Sequence, residues 1–160
     1  MSKIKRILIN QVITHLQNEL LNLTSAAKAA HLAAINEQSI AETQYDTLAI
    51  EAGYLAQGQS RRVIELQQAI SLFQKLVIKP CFTTVSLGAL VQLTKEEENN
   101  SWFFIVPAAA GFQSQIENKS ITLVTPEAPL GRALFGKKLY DEVMNTASVA
   151  LAVDEISAIE

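Results

Sequence analysis

Cysteine and histidine are almost missing from this chain of 160 residues, and with them most metal and redox chemistry. Cys81 is the single cysteine, which excludes an internal disulfide and any cysteine-based zinc cluster, and makes a reducing, cytoplasmic setting the expectation. The two histidines, His15 and His31, lie sixteen residues apart on a helical pattern, far from metal-ligand spacing. Long hydrophobic runs are also absent. "SWFFIVPAAAGF" is broken by Pro107 and falls short of the ~20 residues of a membrane span. The first twenty residues mix polar with apolar side chains and so lack the apolar core of a secretion signal, which points to a mature helix. Positive charge is in deficit too. A net charge of −3 argues against a protein that wraps nucleic acid by itself. Residues 1–80 hold eight Lys/Arg against six Asp/Glu, and residues 81–160 hold five against ten, so the sign changes where the sequence texture changes.

What is present begins with helical periodicity. Ile9, Val12, Leu16, Leu20, Leu23, Ala27, Ala30 and Ala34 recur at alternating steps of three and four, as on a heptad seam. A second series, Leu48, Ala52, Leu55, Gln59, Val63, Leu66, Ile70 and Phe73, ends before Pro80, which stops any helix. The spacing predicts helices over about residues 3–37 and 43–77, and the short "NEQSIAETQ" between them predicts an antiparallel hairpin. Toward the bend the seam shrinks to alanines opposite Gly53, Ala56 and Gly58. Each such glycine costs about 1 kcal/mol relative to Ala, so they serve either close helix packing or a slender tip that enters a narrow opening. After Pro80 the pattern turns strand-like in "TTVSLGALVQL", "SWFFIVPA", "KSITLVT", "LYDEVMN" and "ASVALAVDEI". The expected architecture is α+β: a coiled-coil hairpin over 1–79 and a small, mostly antiparallel β domain over 80–160. Glu96, Glu97 and Glu98 fall in a polar turn between two of the strands and suit solvent.

"GRALFGKK" over 131–138 has the spacing G-x-x-x-x-G-K of a nucleotide-binding phosphate loop. That loop needs a Ser or Thr after the lysine to hold magnesium, and Lys138 stands there instead. A helix opened by Pro129 and closed by Gly136 is the competing expectation, with the glycines flanking a helix where a phosphate loop would precede one. "SVALAVDE", with Asp154 and Glu155 after an apolar run, imitates a magnesium-holding strand, but such strands occur in any sheet.

The layout resembles the Gre-type bacterial transcription elongation factors over nearly the whole chain. Their second coiled-coil helix opens with a pattern of the kind E-N-A-E-Y followed by G-F, and "ETQYDTLAIEAGY" supplies Glu42, Tyr45, Gly53 and Tyr54. Their C-terminal domain carries S-P-(I/L)-(A/G)-R-A-L-(L/I)-G-K followed by G-D-E-V. "APLGRALFGKK" matches it from Pro129 to Lys137, and Asp141, Glu142 and Val143 continue it. The resemblance implies an FKBP-like C-terminal domain and a monomer that binds RNA polymerase and is not itself an enzyme. It also implies contact with nucleic acid, DNA included, only within the transcription complex, and no membrane.

In that family the hairpin tip enters the polymerase secondary channel, and two tip carboxylates help hold a second magnesium ion and its water for cleavage of backtracked RNA. The only metal implied is this Mg²⁺, held by polymerase. Hard oxygen ligands suit such an ion. "QSIAETQY" is the matching tip, one residue shorter: Glu42 takes the second acid's place, and Ser39 that of the first. A serine is no anionic ligand at neutral pH, so weak or absent stimulation of cleavage is expected, with Glu37 and Asp46 as substitutes for the missing acid. The family also docks through an acidic-small-Pro tripeptide, here Glu127, Ala128 and Pro129. Arg61 and Arg62 on the hairpin face either solvent or the transcription complex. Two other classes stay open: a prolyl isomerase or chaperone, on fold analogy, and the phosphate-loop protein.

Overall fold

A computed structural model describes the backbone of residues 2–37, 45–79, 81–145 and 152–160; the side chains of residues 2, 27, 30–57, 145 and 152 lie outside what it describes. Helix α1 spans Ser2–Glu37 and α2 spans Tyr45–Gln74. The predicted seam is the buried stripe: Val12, Leu16, Leu66 and Phe73 are at most 5% exposed, and Val63 and Ile70 are half-buried. Helix α2 ends at Gln74, three residues short of the expected end and well before Pro80.

Arg62 on α2 donates to Glu19 on α1 at 2.7 Å, so these two positions are neighbours. Residues 37 and 45 are eight steps apart, a reach of at most ~29 Å. Were the helices parallel, those two ends would lie roughly 50 Å apart at 1.5 Å per residue. The pair is therefore an antiparallel hairpin.

The chain divides into two compact units, residues 14–71 and residues 1–13 with 72–160. The second unit holds a six-stranded sheet: β1 Leu90–Leu93, β2 Ser101–Ile105, β3 Gln113–Ile116, β4 Lys119–Val124, β5 Glu142–Asn145 and β6 Ala152–Ile159, with helix α3 at Pro129–Leu134 between β4 and β5. The order is β3-β4-β2-β1-β6-β5. Four neighbouring pairs are antiparallel; β2 and β4 are parallel, in register from Ser101↔Ser120 to Ile105↔Val124. That parallel pair departs from simple hairpin succession. It exists because the polar β3, which the sequence pattern did not mark as a strand, takes the outer edge and returns the chain beside β2.

Alternation divides the sheet's side chains between two faces. One face contributes Val91, Leu93, Ile105, Val124 and Ile156 to a core closed by Leu130 and Leu134 of α3 and by Val143. Leu90, Trp102, Phe104, Ile121 and Leu123 alternate with these and are buried on the other face. The same unit includes the buried Ile4, Leu8, Ile9 and Val12 of α1. Gln11 Oε1 lies 2.6 Å from Ser114 Oγ of β3.

Candidate functional site

The segment 125–141 gathers most of the motif residues that the sequence singles out. Its chain enters from β4 and turns at Thr125, whose carbonyl accepts from Ala128 N–H at 3.0 Å. Pro129 then occupies the first turn of α3, where its fixed φ and missing N–H do no harm. Leu130, Gly131 and Leu134 face inward, which leaves Glu127 and Pro129 exposed and Ala128 half-buried. The expected contact residues Glu127 and Pro129 are thus presented together, on a turn that is clamped to the core from below.

Gly131 does a different job from the one its motif position suggested. It sits inside α3 rather than flanking it as a turn glycine. A Cβ there would lie 1.9 Å from the Thr125 carbonyl oxygen and 3.1 Å from Val124 Cγ1, so only glycine lets α3 approach β4 this closely. Gly136, at φ +81, does end the helical segment as its spacing predicts.

The phosphate-loop pattern fails on hydrogen bonds. Such a loop needs backbone N–H groups aimed at phosphates, and here they are committed elsewhere. Arg132 N–H donates to Ala128, Phe135 to Gly131, Gly136 to Val85 and Lys137 to Leu134, at 2.8–3.0 Å. Lys138 N–H donates to Asp141 Oδ2 at 2.7 Å. Of the acidic pair at the end of "SVALAVDE", Asp154 is structural and Glu155 is exposed. Asp154 is 4% exposed, and its Oδ1 accepts from Glu155 N–H at 2.9 Å and from Lys95 N–H at 3.3 Å in the 3₁₀ turn at Thr94–Glu96. Among the described residues no three His, Cys, Asp or Glu side chains are arranged to hold a metal.

Beside Pro129 lies an apolar cavity of about 280 Å³, lined by Phe103, Leu123, Val124, Ala128, Pro129 and Leu130 among others. Periodicity could not reveal it, because its lining comes from separate stretches of the chain, the inner strands β2 and β4 and the start of α3.

The hairpin's tip residues stand differently. Ser39 and Glu42 lie outside the described residues. Glu37 is the last residue of α1 and Asp46 the second of α2, and their side chains lie outside them too. Lower on the hairpin, Arg62 binds both Glu19 and Glu65, which holds its guanidinium pKa above the ordinary value, chiefly through the Glu19 hydrogen bond. Arg61 pairs with Glu65 at 3.4 Å. Both arginines are therefore engaged in hairpin ion pairs.

Sequence patterning missed Lys5 altogether. It is 1% exposed, donates from Nζ to the Glu160 carbonyl at 2.6 Å and lies 4.5 Å from the centre of the Phe82 ring. Burial lowers its pKa from 10.5 to about 8, partly offset by Glu160 and Cys81. A lysine one helical turn before the first seam residue gave no signal of this.

Among the described residues no helix is long and apolar enough to cross a membrane. No family model and no curated protein matches the chain. Solved structures do. One, of the transcription factor Gfh1, is 14% identical with a TM-score of 0.36, covering 92% of both chains. The GreA factor homolog 1 (Gfh1) protein of Thermus thermophilus is 15% identical at 0.36, covering 92% of this chain and 94% of that one. Gfh1 of Thermus aquaticus is 16% identical at 0.34, over 91% and 92%. Superposition this loose carries no functional argument, and the helical hairpin with its small β domain rests on the geometry above.

Proposed function

We propose that this protein is an RNA polymerase-binding regulator of transcription elongation. Its hairpin tip enters the polymerase's secondary channel, and Glu127 and Pro129 contact the channel mouth. The observation that carries the proposal is the presentation of those two residues: exposed, adjacent and fixed by an α3 that Gly131 seats against β4. An exposed carboxylate beside a rigid proline on a clamped turn is a preorganised contact for a basic helix face. The order of the sequence motifs, hairpin first and "APLGRALFGKK" after it, supports the same assignment.

In this proposal the protein acts in the cytoplasm as a monomer, holds no cofactor of its own and is not an enzyme. Any magnesium it touches is held by polymerase. With Ser39 where an acid is required, it occupies the channel and stimulates transcript cleavage weakly or not at all, and Glu42 carries what activity remains. RNA shortening in stalled, backtracked complexes tests this. The protein should compete with a cleavage-active Gre factor, Glu42→Ala should remove residual cleavage with little loss of affinity, and Ser39→Asp should raise it. Strong cleavage that survives Glu42→Ala would show the tip to be wrongly assigned, with Glu37 and Asp46 next to examine.

The apolar cavity beside Pro129 favours a second function, a prolyl isomerase or chaperone module. Unchanged isomerisation of a model X-Pro peptide at high protein concentration would eliminate it.

A further inference from the structure

One stretch of "GRALFGKKLY" is left without a task once its glycines are explained. Between Gly131 and Tyr140 there are three cations, Arg132, Lys137 and Lys138, and no acidic residue. Arg132 and Lys138 are exposed, and Lys137 is half-buried. Among the described residues none of the three side chains makes an ion pair or a side-chain hydrogen bond, in contrast to Arg61, Arg62 and Lys119, which all find carboxylates. Two aromatic rings stand among them: Phe135 is 46% exposed and Tyr140 69%.

Tyr140 has a φ of +70, a left-handed conformation that is an outlier for a bulky side chain. The surrounding bonds hold it there. Its N–H donates to the Ile156 carbonyl at 2.9 Å, Asp141 N–H donates to the Lys138 carbonyl at 3.1 Å, and Lys138 N–H donates to Asp141 Oδ2. On the other side, Gly136 N–H donates to the Val85 carbonyl and Val85 N–H to the Lys137 carbonyl, both at 2.8 Å. The backbone under both rings is therefore fixed, and Phe135 and Tyr140, five residues apart, lie within ~18 Å of each other. Two exposed rings on a fixed backbone, in a segment that carries three unpaired cations, match a polyanion that offers a flat π face at every repeat. An acidic protein surface would satisfy the cations and leave the rings unexplained; a duplex would hide its base faces from them.

We propose that residues 132–140 form a contact site for single-stranded RNA, with bases stacking on Phe135 and Tyr140 and phosphates meeting Arg132, Lys137 and Lys138. The assignment to RNA rests on the polymerase-binding proposal, which puts the protein beside a transcript; the stacking-and-phosphate chemistry does not. Residues 81–160, which carry the patch, hold ten Asp/Glu against five Lys/Arg, so the contact is confined to this cationic stretch and is salt-sensitive.

Fluorescence anisotropy of the full chain with an end-labelled single-stranded RNA of about 12 nucleotides, at about 50 mM salt, tests it. Saturable binding is expected. Phe135→Ala and Tyr140→Ala should each weaken it roughly 5- to 50-fold, and Tyr140→Trp should restore it. The double variant Lys137→Gln/Lys138→Gln should flatten the salt dependence by about 1.4 in log–log slope. Lys3→Gln, at an exposed lysine outside the patch, should change nothing, and unchanged thermal midpoints would show that the variants fold. No binding at low salt, duplex RNA bound as tightly as single strand, or indifference to both aromatic substitutions would overturn the proposal. Single-stranded DNA bound roughly tenfold tighter than RNA would overturn the assignment to RNA. Polymerase binding is measured with the same variants. If the patch variants lose polymerase while RNA binding is unaffected, the patch is a protein interface; if polymerase binding persists without any RNA binding, this inference fails and the polymerase proposal stands.

Discussion

The two compact units are held together by different means. The sheet unit buries both faces of its strands; β1 is buried at all four positions, and Phe104, Ile105, Leu134 and Ile156 are fully inaccessible. In the hairpin unit, by contrast, only Leu16 and Leu66 are buried among the described residues, and one polar link between its helices is the exposed Arg62–Glu19 pair. Exposed ion pairs of this kind contribute at most about 1 kcal/mol. Among the described residues, then, the sheet unit is held by a core on both faces, and the hairpin unit by a narrow apolar seam.

The largest expected effect is at Gly131. Gly131→Val forces side-chain atoms into the Thr125 carbonyl and should destabilise the sheet unit by more than about 4 kcal/mol, seen as loss of the cooperative unfolding transition and of the near-ultraviolet signal of Trp102. A variant that melts normally would mean that α3 is not clamped to β4. Leu66→Ala should cost about 2–4 kcal/mol, concentrated in the hairpin. Amide exchange should accelerate in residues 14–26 and 58–71 and stay slow in β1 and β2. Uniform acceleration would erase the contrast between the units.

Lys5 tests the sheet unit by pH. The folded chain holds this lysine at about 8 against 10.5, so the unfolded chain binds its proton more tightly. The penalty for burying the charge is in full force below pH 8 and is relieved as pH rises from about 8 to 10.5, a change on the order of 1–3 kcal/mol. Lys5→Met should therefore be relatively more stable at pH 7 than at pH 10, compared with the unmodified chain at each pH. Parallel curves would show that Lys5 keeps its proton unperturbed. The smallest effect belongs to Arg62→Ala, which should change stability by less than about 1 kcal/mol and respond to added salt. A loss several times larger would make the hairpin more dependent on charge than its exposed pairs suggest.

Much of this architecture could be read from spacing. The seam through Leu16, Val63, Leu66 and Phe73 announced the hairpin, because helical periodicity records which face is buried. Pro129 marked the start of α3 by the chemistry of a first turn. The rest depended on distant parts of the chain. Gln113–Ile116 has one apolar residue and is a strand only because β4 offers it an edge. Gly131 is required by a carbonyl six residues earlier, Lys5 is buried against the far end of the chain, and Tyr140's strained backbone is set by a bond to Ile156. None of these leaves a local pattern. At the tip, Ser39 and Glu42 rest on the motif alone and lie outside the described residues.

The central claim is most directly tested by equilibrium binding of the purified chain to core RNA polymerase at low salt, with the double variant Glu127→Ala/Pro129→Ala alongside. Saturable binding of the unmodified chain, weakened at least about tenfold in the double variant, is the predicted result. No binding by the unmodified chain, or equal binding by both proteins, would contradict the assignment.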